Sequence, residues 1–326
     1  MAAMVFCMVC VLSACKKQKD DTITPPLNDN SLPSGAIANI ILKQKSGNSI
    51  QFELDVAVFR DSKNLENSLS ASNFIIDTLY SGGTYIFKSD GVSLSNPGNA
   101  TLYSALMLMD QSGSIASTDP SDYRLDAANA FCSNLETGSN IMLWSFTSSY
   151  SNNYQMYGTG FTTDTAAVLA QIENLRNREG GGTPLYVSQV AATNFCAANA
   201  TNAGKAVLTF TDGEDTDGGS TADGVSDNAV AKGVRLYNIG LGGAQTSLLC
   251  REAIPSGGAF MFAQDARQLI SIFGNLGKLL DNSARYYHTT WTVTRNNAFT
   301  SGSISHIMRV VLPYGGEVSI PFTLDY

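Results

Sequence analysis

Apolar and polar positions change rhythm twice along this chain. From residue 36 to 98 the apolar residues come in short runs or in alternation. Ile50, Phe52, Leu54, Val56 and Val58 alternate with Gln51, Glu53, Asp55 and the small Ala57. That is the period of a half-buried strand, whose successive side chains point to opposite faces. Ile37 to Leu42, Phe74 to Ile76, Tyr85 to Phe87 and Val92 to Leu94 are further short runs between turn residues. The style returns at the other end: Tyr287, Thr289, Trp291 and Val293 alternate, as do Val318, Ile320, Phe322 and Leu324, with Ile307 to Leu312 a third run.

Between these ends, continuous apolar strands alternate with helical patterns, which predicts an α/β fold with a doubly wound, mostly parallel sheet covered on both faces. Strands are expected at 101–109, 141–146, 205–211, 234–241 and 259–263. Asp119-Pro120 is an N-cap with a first-turn proline, opening a helix with Leu125, Ala128 and Leu135 on one face. Asp164 caps a helix through Val168, Ile172 and Leu175 that stops at Gly180; Pro184 to Ala198 and Arg267 to Leu280 complete the set. Because strands flank the α/β block, residues 99–283, on both sides, the simplest topology inserts it into a β-sandwich. Residues 36–98 are then expected to form the first part of that sandwich and 284–326 to complete it, the alternative being two separate small β modules that flank the block. Chain ends that lie close together make such an insertion sterically easy.

At 326 residues there is ample material for a core. The net charge of −8 argues against nucleic acid or an anionic membrane surface as the main partner. Residues 1–15 are expected to be a targeting segment: Val5 to Leu12 is apolar but too short to span a bilayer. It leads to Leu12-Ser13-Ala14-Cys15, which resembles the bacterial lipobox and implies lipidation of Cys15, although no Lys or Arg precedes the apolar run. Residues 16–35 have a tether's composition. Within them Lys19-Asp20-Asp21 is similar to the charged export signal of surface lipoproteins in the Bacteroidetes, so the expected location is a bacterial outer membrane, lipid-anchored and surface-exposed. Cys132, Cys196 and Cys250 remain in the body; their spacing matches no zinc pattern, and they read as small buried hydrophobes or as one disulfide with a leftover thiol.

The candidate chemistry begins at Asp110-Gln111-Ser112-Gly113-Ser114, directly after the apolar run Ala105 to Met109. A turn that presents a carboxylate and two hydroxyls at i, i+2 and i+4 offers oxygens to one point, and a hard cation such as Mg²⁺ takes an oxygen shell. Gly180-Gly181-Gly182-Thr183-Pro184 adds a threonine hydroxyl ahead of a helix. Lys205 to Thr211 is a buried-type strand ending in Asp212. Taken singly these are ordinary: Asp and Ser in turns bond their own backbone, and Gly-Gly-Thr-Pro is a common loop-to-helix junction. Taken together, two apolar strands each end in a carboxylate, where open parallel sheets bind ligands.

In this order the motifs resemble the metal-ion-dependent adhesion site of von Willebrand factor type A domains, over residues 99–283. The resemblance implies Asp110, Ser112, Ser114, Thr183 and Asp212 as ligands of Mg²⁺, with Mn²⁺ or Ca²⁺ as alternatives, and a protein partner whose Asp or Glu completes the shell. The acidic stretch Asp212 to Asp227 does not fit an EF-hand register and reads as a solvated loop in which Glu214 and Asp215 tune the local potential. An enzyme is not indicated: His288 and His306 stand in no nucleophile context, and neither G-x-S-x-G nor a P-loop occurs. The expected role is metal-dependent adhesion or protein binding. The alternative is a structural subunit of an envelope assembly that uses the same fold as a permanent docking module.

Overall fold

The computed structural model describes residues 31–326. The expected signal segment, the anchor Cys15 and residues 16–30 of the expected tether lie outside the described residues. The first strands are β1 (Ser34–Ser46), β2 (Ser49–Phe59), β3 (Phe74–Ile76), β4 (Leu79–Tyr80) and β5 (Thr84–Leu94). The α/β part follows: β6 (Tyr103–Asp110), α1 (Ile115–Thr118), α2 (Tyr123–Ser133), β7 (Asn140–Phe146), β8 (Tyr154–Thr162), α3 (Thr165–Glu173), α4 (Leu185–Asn199) and β9 (Gly204–Thr211). It continues through α5 (Ala222–Lys232), β10 (Arg235–Leu241), α6 (Thr246–Ala253), β11 (Ala259–Ala263) and α7 (Gln268–Leu280). The chain ends with β12 (Tyr287–Thr294), β13 (Ser303–Val311) and β14 (Glu317–Asp325).

Among the described residues, eleven strands form one sheet in the order β4-β5-β12-β2-β1-β11-β10-β9-β6-β7-β8. Its centre, β11 to β7, is parallel, as the alternation of strands and helices requires. Every residue of β6 and β7 is buried, which is why these strands read as unbroken apolar runs. On one face Met107, Met109, Leu208 and Phe210 meet α2, α3 and α7 through Phe131, Ile172 and Leu276. On the other, Leu106, Leu108 and Val207 meet α4, α5 and α6 through Leu185, Val225 and Leu249.

The strands from the two chain ends pair with each other: β12 lies between β2 and β5, with Tyr287 opposite Val56 on one side and Leu94 on the other. They also continue the α/β sheet, because β1 pairs antiparallel with β11 at Ala36↔Met261. A three-stranded sheet, β14-β13-β3, covers the extension where helices cover the centre. Phe52 stacks on Phe322 at 6.0 Å and Phe74 meets Tyr287 at 5.0 Å between ring centroids. The alternation of Phe52, Leu54 and Val56 thus faces a second sheet, and all three are buried.

Some local expectations shift. The helix expected at Asp119-Pro120 starts at Tyr123, after the single turn α1, and its N-cap is Asp122 rather than Asp119; the Asp119 carboxylate instead reaches over the turn to accept from the amides of Tyr123 (2.8 Å) and Arg124 (2.9 Å). Leu135 lies past the helix end. The stretch read as a solvated acidic loop becomes helix α5 from Ala222, capped by the Thr221 hydroxyl, which accepts from the Gly224 amide (3.1 Å). Its buried face is only Ala222, Val225, Ser226 and Ala229, too weak a stripe to read from sequence. The edge strand β8 and helix α6 were not expected at all. Cys132, Cys196 and Cys250 are all buried and free, without a disulfide among them.

Between α4, β10 and α6 lies a buried polar cluster. The Gln189 and Asn238 side-chain amides both donate to Glu252 Oε2, at 3.0 and 2.8 Å. Burial pushes the Glu252 carboxyl up to about 8, against the opposing pull of those two bonds. The folded state then keeps a proton that the unfolded chain releases near 4.5. This contribution is complete below pH 4.5 and is lost as pH rises towards 8, at about 1.4 kcal/mol per pH unit. Glu252→Gln should therefore gain stability over the wild type progressively from pH 5 to 8 in urea unfolding. A gap that stays constant across that range would mean that the carboxyl is ionised in the fold.

Candidate metal centre

The site is built where β6 and β9 end side by side. Their parallel register sets Met109 opposite Phe210, so the next residues of both strands emerge at one edge of the sheet. Asp110 is fully buried; its Oδ1 accepts from the Ser112 amide (2.8 Å), which curls the chain into a tight turn. That turn brings the hydroxyls of Ser112 and Ser114 to 3.1 Å from each other, and Ser114 donates to Asp212 Oδ1 at 2.8 Å. Two further hydroxyls fix the carboxylates from behind: Thr211 donates to Asp110 Oδ2 (2.7 Å) and Thr118 to Asp212 Oδ2.

Thr183 arrives on the glycine loop. The Gly180 amide donates to the Gln111 carbonyl (2.9 Å) and the Gly113 amide to the Gly181 carbonyl (3.0 Å), so loop and turn are zipped together. Gly181 has φ +79, and a Cβ there would stand 2.4 Å from the Ser149 hydroxyl; only glycine fits. Thr183 is anchored through its amide on the Thr216 hydroxyl (2.7 Å). A Cβ placed on Gly213 would lie 3.4 Å from Thr183 Oγ1 and 3.9 Å from Ser114 Oγ, so these two hydroxyls flank the same spot. All five sequence-predicted residues are thus brought together. Asp110, Ser112, Thr183 and Asp212 are buried, while Ser114 and Gly113 stand at the open rim.

The donor set is chemically uniform: two carboxylates and three hydroxyls, all oxygen. No Lys or Arg among the described residues pairs with Asp110 or Asp212; they face only hydroxyl and amide groups. Burial pushes the Asp110 carboxyl up to about 6; the bonds from Thr211 and Ser112 oppose this, and the Asp212 charge adds to it. Such a pair of carboxylates fits a hard divalent cation held by oxygens. No group of three or more His, Cys, Asp or Glu side chains arranged for a metal occurs among the described residues, so any cation here relies on the hydroxyls.

Sequence reasoning missed the supporting hydroxyls of Thr118, Thr211 and Thr216, although Thr211 directly precedes Asp212. It also underread Asp215. That carboxylate accepts from the amides of Tyr186 (3.1 Å) and Gly218 (2.8 Å), tying the acidic loop to the start of α4. His288, on β12 of the extension, pairs with Asp55, and His306, on β13 of the covering sheet, with the Asp77 carbonyl.

A sequence profile of the von Willebrand factor type A domain matches residues 106–275, just over half of the chain. Among solved structures, the chain is similar to the pilus adhesin SpaC from Lactobacillus rhamnosus GG at 11% identity, covering 89% of this chain and 48% of that one, with a TM-score of 0.45. It is similar to a von Willebrand factor type A protein from Catenulispora acidiphila at 12% identity (90% and 74% covered, TM-score 0.45). Proximal thread matrix protein 1 from the mussel byssus, solved with a zinc-occupied MIDAS motif, is similar at 17% identity (56% and 49% covered, TM-score 0.48). The chain therefore spans about half the length of the pilus adhesin and of the mussel protein. No curated protein matches it.

The buried charge of Asp110 makes a direct prediction for metal-free protein. A carboxyl raised from 3.8 to about 6 contributes stability below pH 3.8 that is lost as pH rises through 6. Stripped with EDTA, Asp110→Asn should be more stable than the wild type at pH 7.5, by about 3 kcal/mol, and lose that advantage near pH 4. Chemical denaturation at both pH values measures it; a variant less stable than the wild type at pH 7.5 contradicts the assignment.

Proposed function

Given that this chain belongs to the von Willebrand factor type A domain family, we propose that it binds a protein partner through a divalent cation held by Asp110, Ser112, Ser114, Thr183 and Asp212. One observation carries the reading: oxygens from three separate segments converge at the open end of the sheet around two carboxylates that no Lys or Arg of the described fold neutralises.

A bound cation supplies a coordination position that a further carboxylate can take. The chain's own residues do the rest. Two carboxylates leave a divalent ion only just neutral, so a partner's Asp or Glu is a favourable addition in a partly dry pocket. Ser114 and Gly113 keep the approach open, while Thr118, Thr211 and Thr216 hold the ligand-bearing groups in place. Oxygen-only donors favour Mg²⁺, with Mn²⁺ or Ca²⁺ as substitutes. In the same proposal, lipidation of Cys15 anchors the protein at a bacterial outer membrane and leaves the site exposed to partners.

Isothermal titration with MnCl₂ and MgCl₂ should show one site in the wild type. Asp110→Ala should abolish it, and Thr183→Ala should weaken it by about tenfold or more, both with a native circular dichroism spectrum. A pull-down from envelope or host extracts should lose its partner in EDTA and regain it with Mg²⁺. Co-purification at fixed stoichiometry that ignores the chelator would favour the permanent docking module instead.

A further inference from the structure

Arg124, the second residue of α2, has no exposed surface. Its Nη1 donates to Asp122 Oδ1 (2.6 Å) and Asp119 Oδ2 (3.3 Å); its Nη2 donates to Gln111 Oε1 (3.0 Å) and to Glu179. These four partners come from three segments. Gln111 sits between Asp110 and Ser112 in the metal turn. Asp119 and Asp122 form the connection from α1 to α2. Glu179 immediately precedes the glycine loop that ends in Thr183.

A role in stability alone explains this arrangement poorly. Three carboxylates around one buried guanidinium carry a desolvation cost that their mutual attraction barely offsets, and a well-packed apolar side chain commonly does as well. The cluster also holds Asp122 at φ 56, a left-handed conformation unfavourable for a residue with a Cβ. Arg176 balances part of the excess charge, reaching Asp122 Oδ2 at 3.1 Å, but it touches neither the metal turn nor the glycine loop. What Arg124 does that no other side chain among the described residues does is join those two. The planar fork of a guanidinium suits this task, since its two ends can be bonded at once in fixed directions. The Gln111 side chain passes the restraint onward by donating to the Leu175 carbonyl (2.8 Å).

We infer that Arg124 is a positioning residue of the metal centre: it locks the Asp110–Ser114 turn to the Gly180–Thr183 loop, so that the hydroxyls of Ser112, Ser114 and Thr183 hold their spacing before any cation arrives. This inference rests on the reading of the site as a metal centre. The residue itself donates nothing to the cation. Its contribution is preorganisation, which outer partners of metal ligands commonly supply at tenfold to a hundredfold in affinity.

The test compares Arg124→Met and Gln111→Met with Arg176→Met, which disturbs the same carboxylate cluster without freeing the loops. Each protein is titrated with MnCl₂ well below its own thermal midpoint. The expected result is a dissociation constant raised by about tenfold or more in the first two and unchanged in Arg176→Met, even where all three lose thermal stability. In metal-free protein, hydrogen exchange at the Gly113 and Gly180 amides should quicken in Arg124→Met and not in Arg176→Met. Wild-type affinity and wild-type exchange in both test variants would overturn the inference. Should Arg124→Met fail to fold, Gln111→Met carries the test, since it removes the link without stranding a charge. A wild type that takes up no Mn²⁺ sinks the metal centre itself, and the exchange arm then decides whether the loops are clamped.

Discussion

The pairing of β6 with β9 is the constraint on which the rest of this molecule depends. Neighbouring strands lie about 4.8 Å apart, so two carboxylates that end adjacent parallel strands are within reach of one ion or of a few bridging hydroxyls. A slip of one residue would turn every side chain of β6 to the opposite face. The two layers forbid it: Leu106 and Leu108 belong to one core, Met107 and Met109 to the other. Helix packing on both faces therefore sets the position of Asp110 against Asp212, although among the described residues no helix side chain but that of Thr118 bonds to either carboxylate.

The protein meets the problem of a buried carboxylate in three ways. Glu252 is surrounded by amides, and burial favours its neutral form. Asp119, Asp122 and Glu179 are gathered around the guanidinium of Arg124. Asp110 and Asp212 receive neither solution in full, because hydroxyls and amides are weak compensation for two charges so close together. Within one fold, the first two arrangements close a site and the third leaves it open to a positive ligand. Asymmetry of this kind marks a functional position more reliably than acidity alone, which is spread over the whole surface.

The extension of the sheet follows from the edge problem. β11 would be an exposed edge of a parallel sheet; β1 covers it in the antiparallel sense, and β2, β12 and β5 carry the sheet onward. Once the extension exists, its inner face needs a partner, which the strands β3, β13 and β14 provide. The α/β part and the strand-rich part share hydrogen bonds and one hydrophobic core through Ile37, Val56, Leu236 and Phe260. Force on one is transmitted to the other through strands rather than through a linker.

Much of this was legible in the residues. Unbroken apolar runs located β6, β7, β9, β10 and β11 to within a few positions, and strict alternation located β2, β12 and β14, because burial on two faces or on one writes those two patterns. The five candidate residues could be picked out for another reason: each belongs to a local turn or strand end whose geometry short motifs encode. Helix α5, with Asp223, Gly224, Asp227 and Asn228 in its eleven residues, was hidden because its formation depends on packing against α4 and α6 rather than on propensity. Arg124 was hidden more deeply. On a helix whose apolar face was assigned to Leu125 and Ala128, an arginine reads as part of a solvated surface. Only the convergence of residues 111, 119, 122 and 179, brought together by the fold, turns that side chain inward. Periodicity records which face of an element is apolar; it carries no record of which distant polar groups will meet there, and outer supports of a site are made of such meetings.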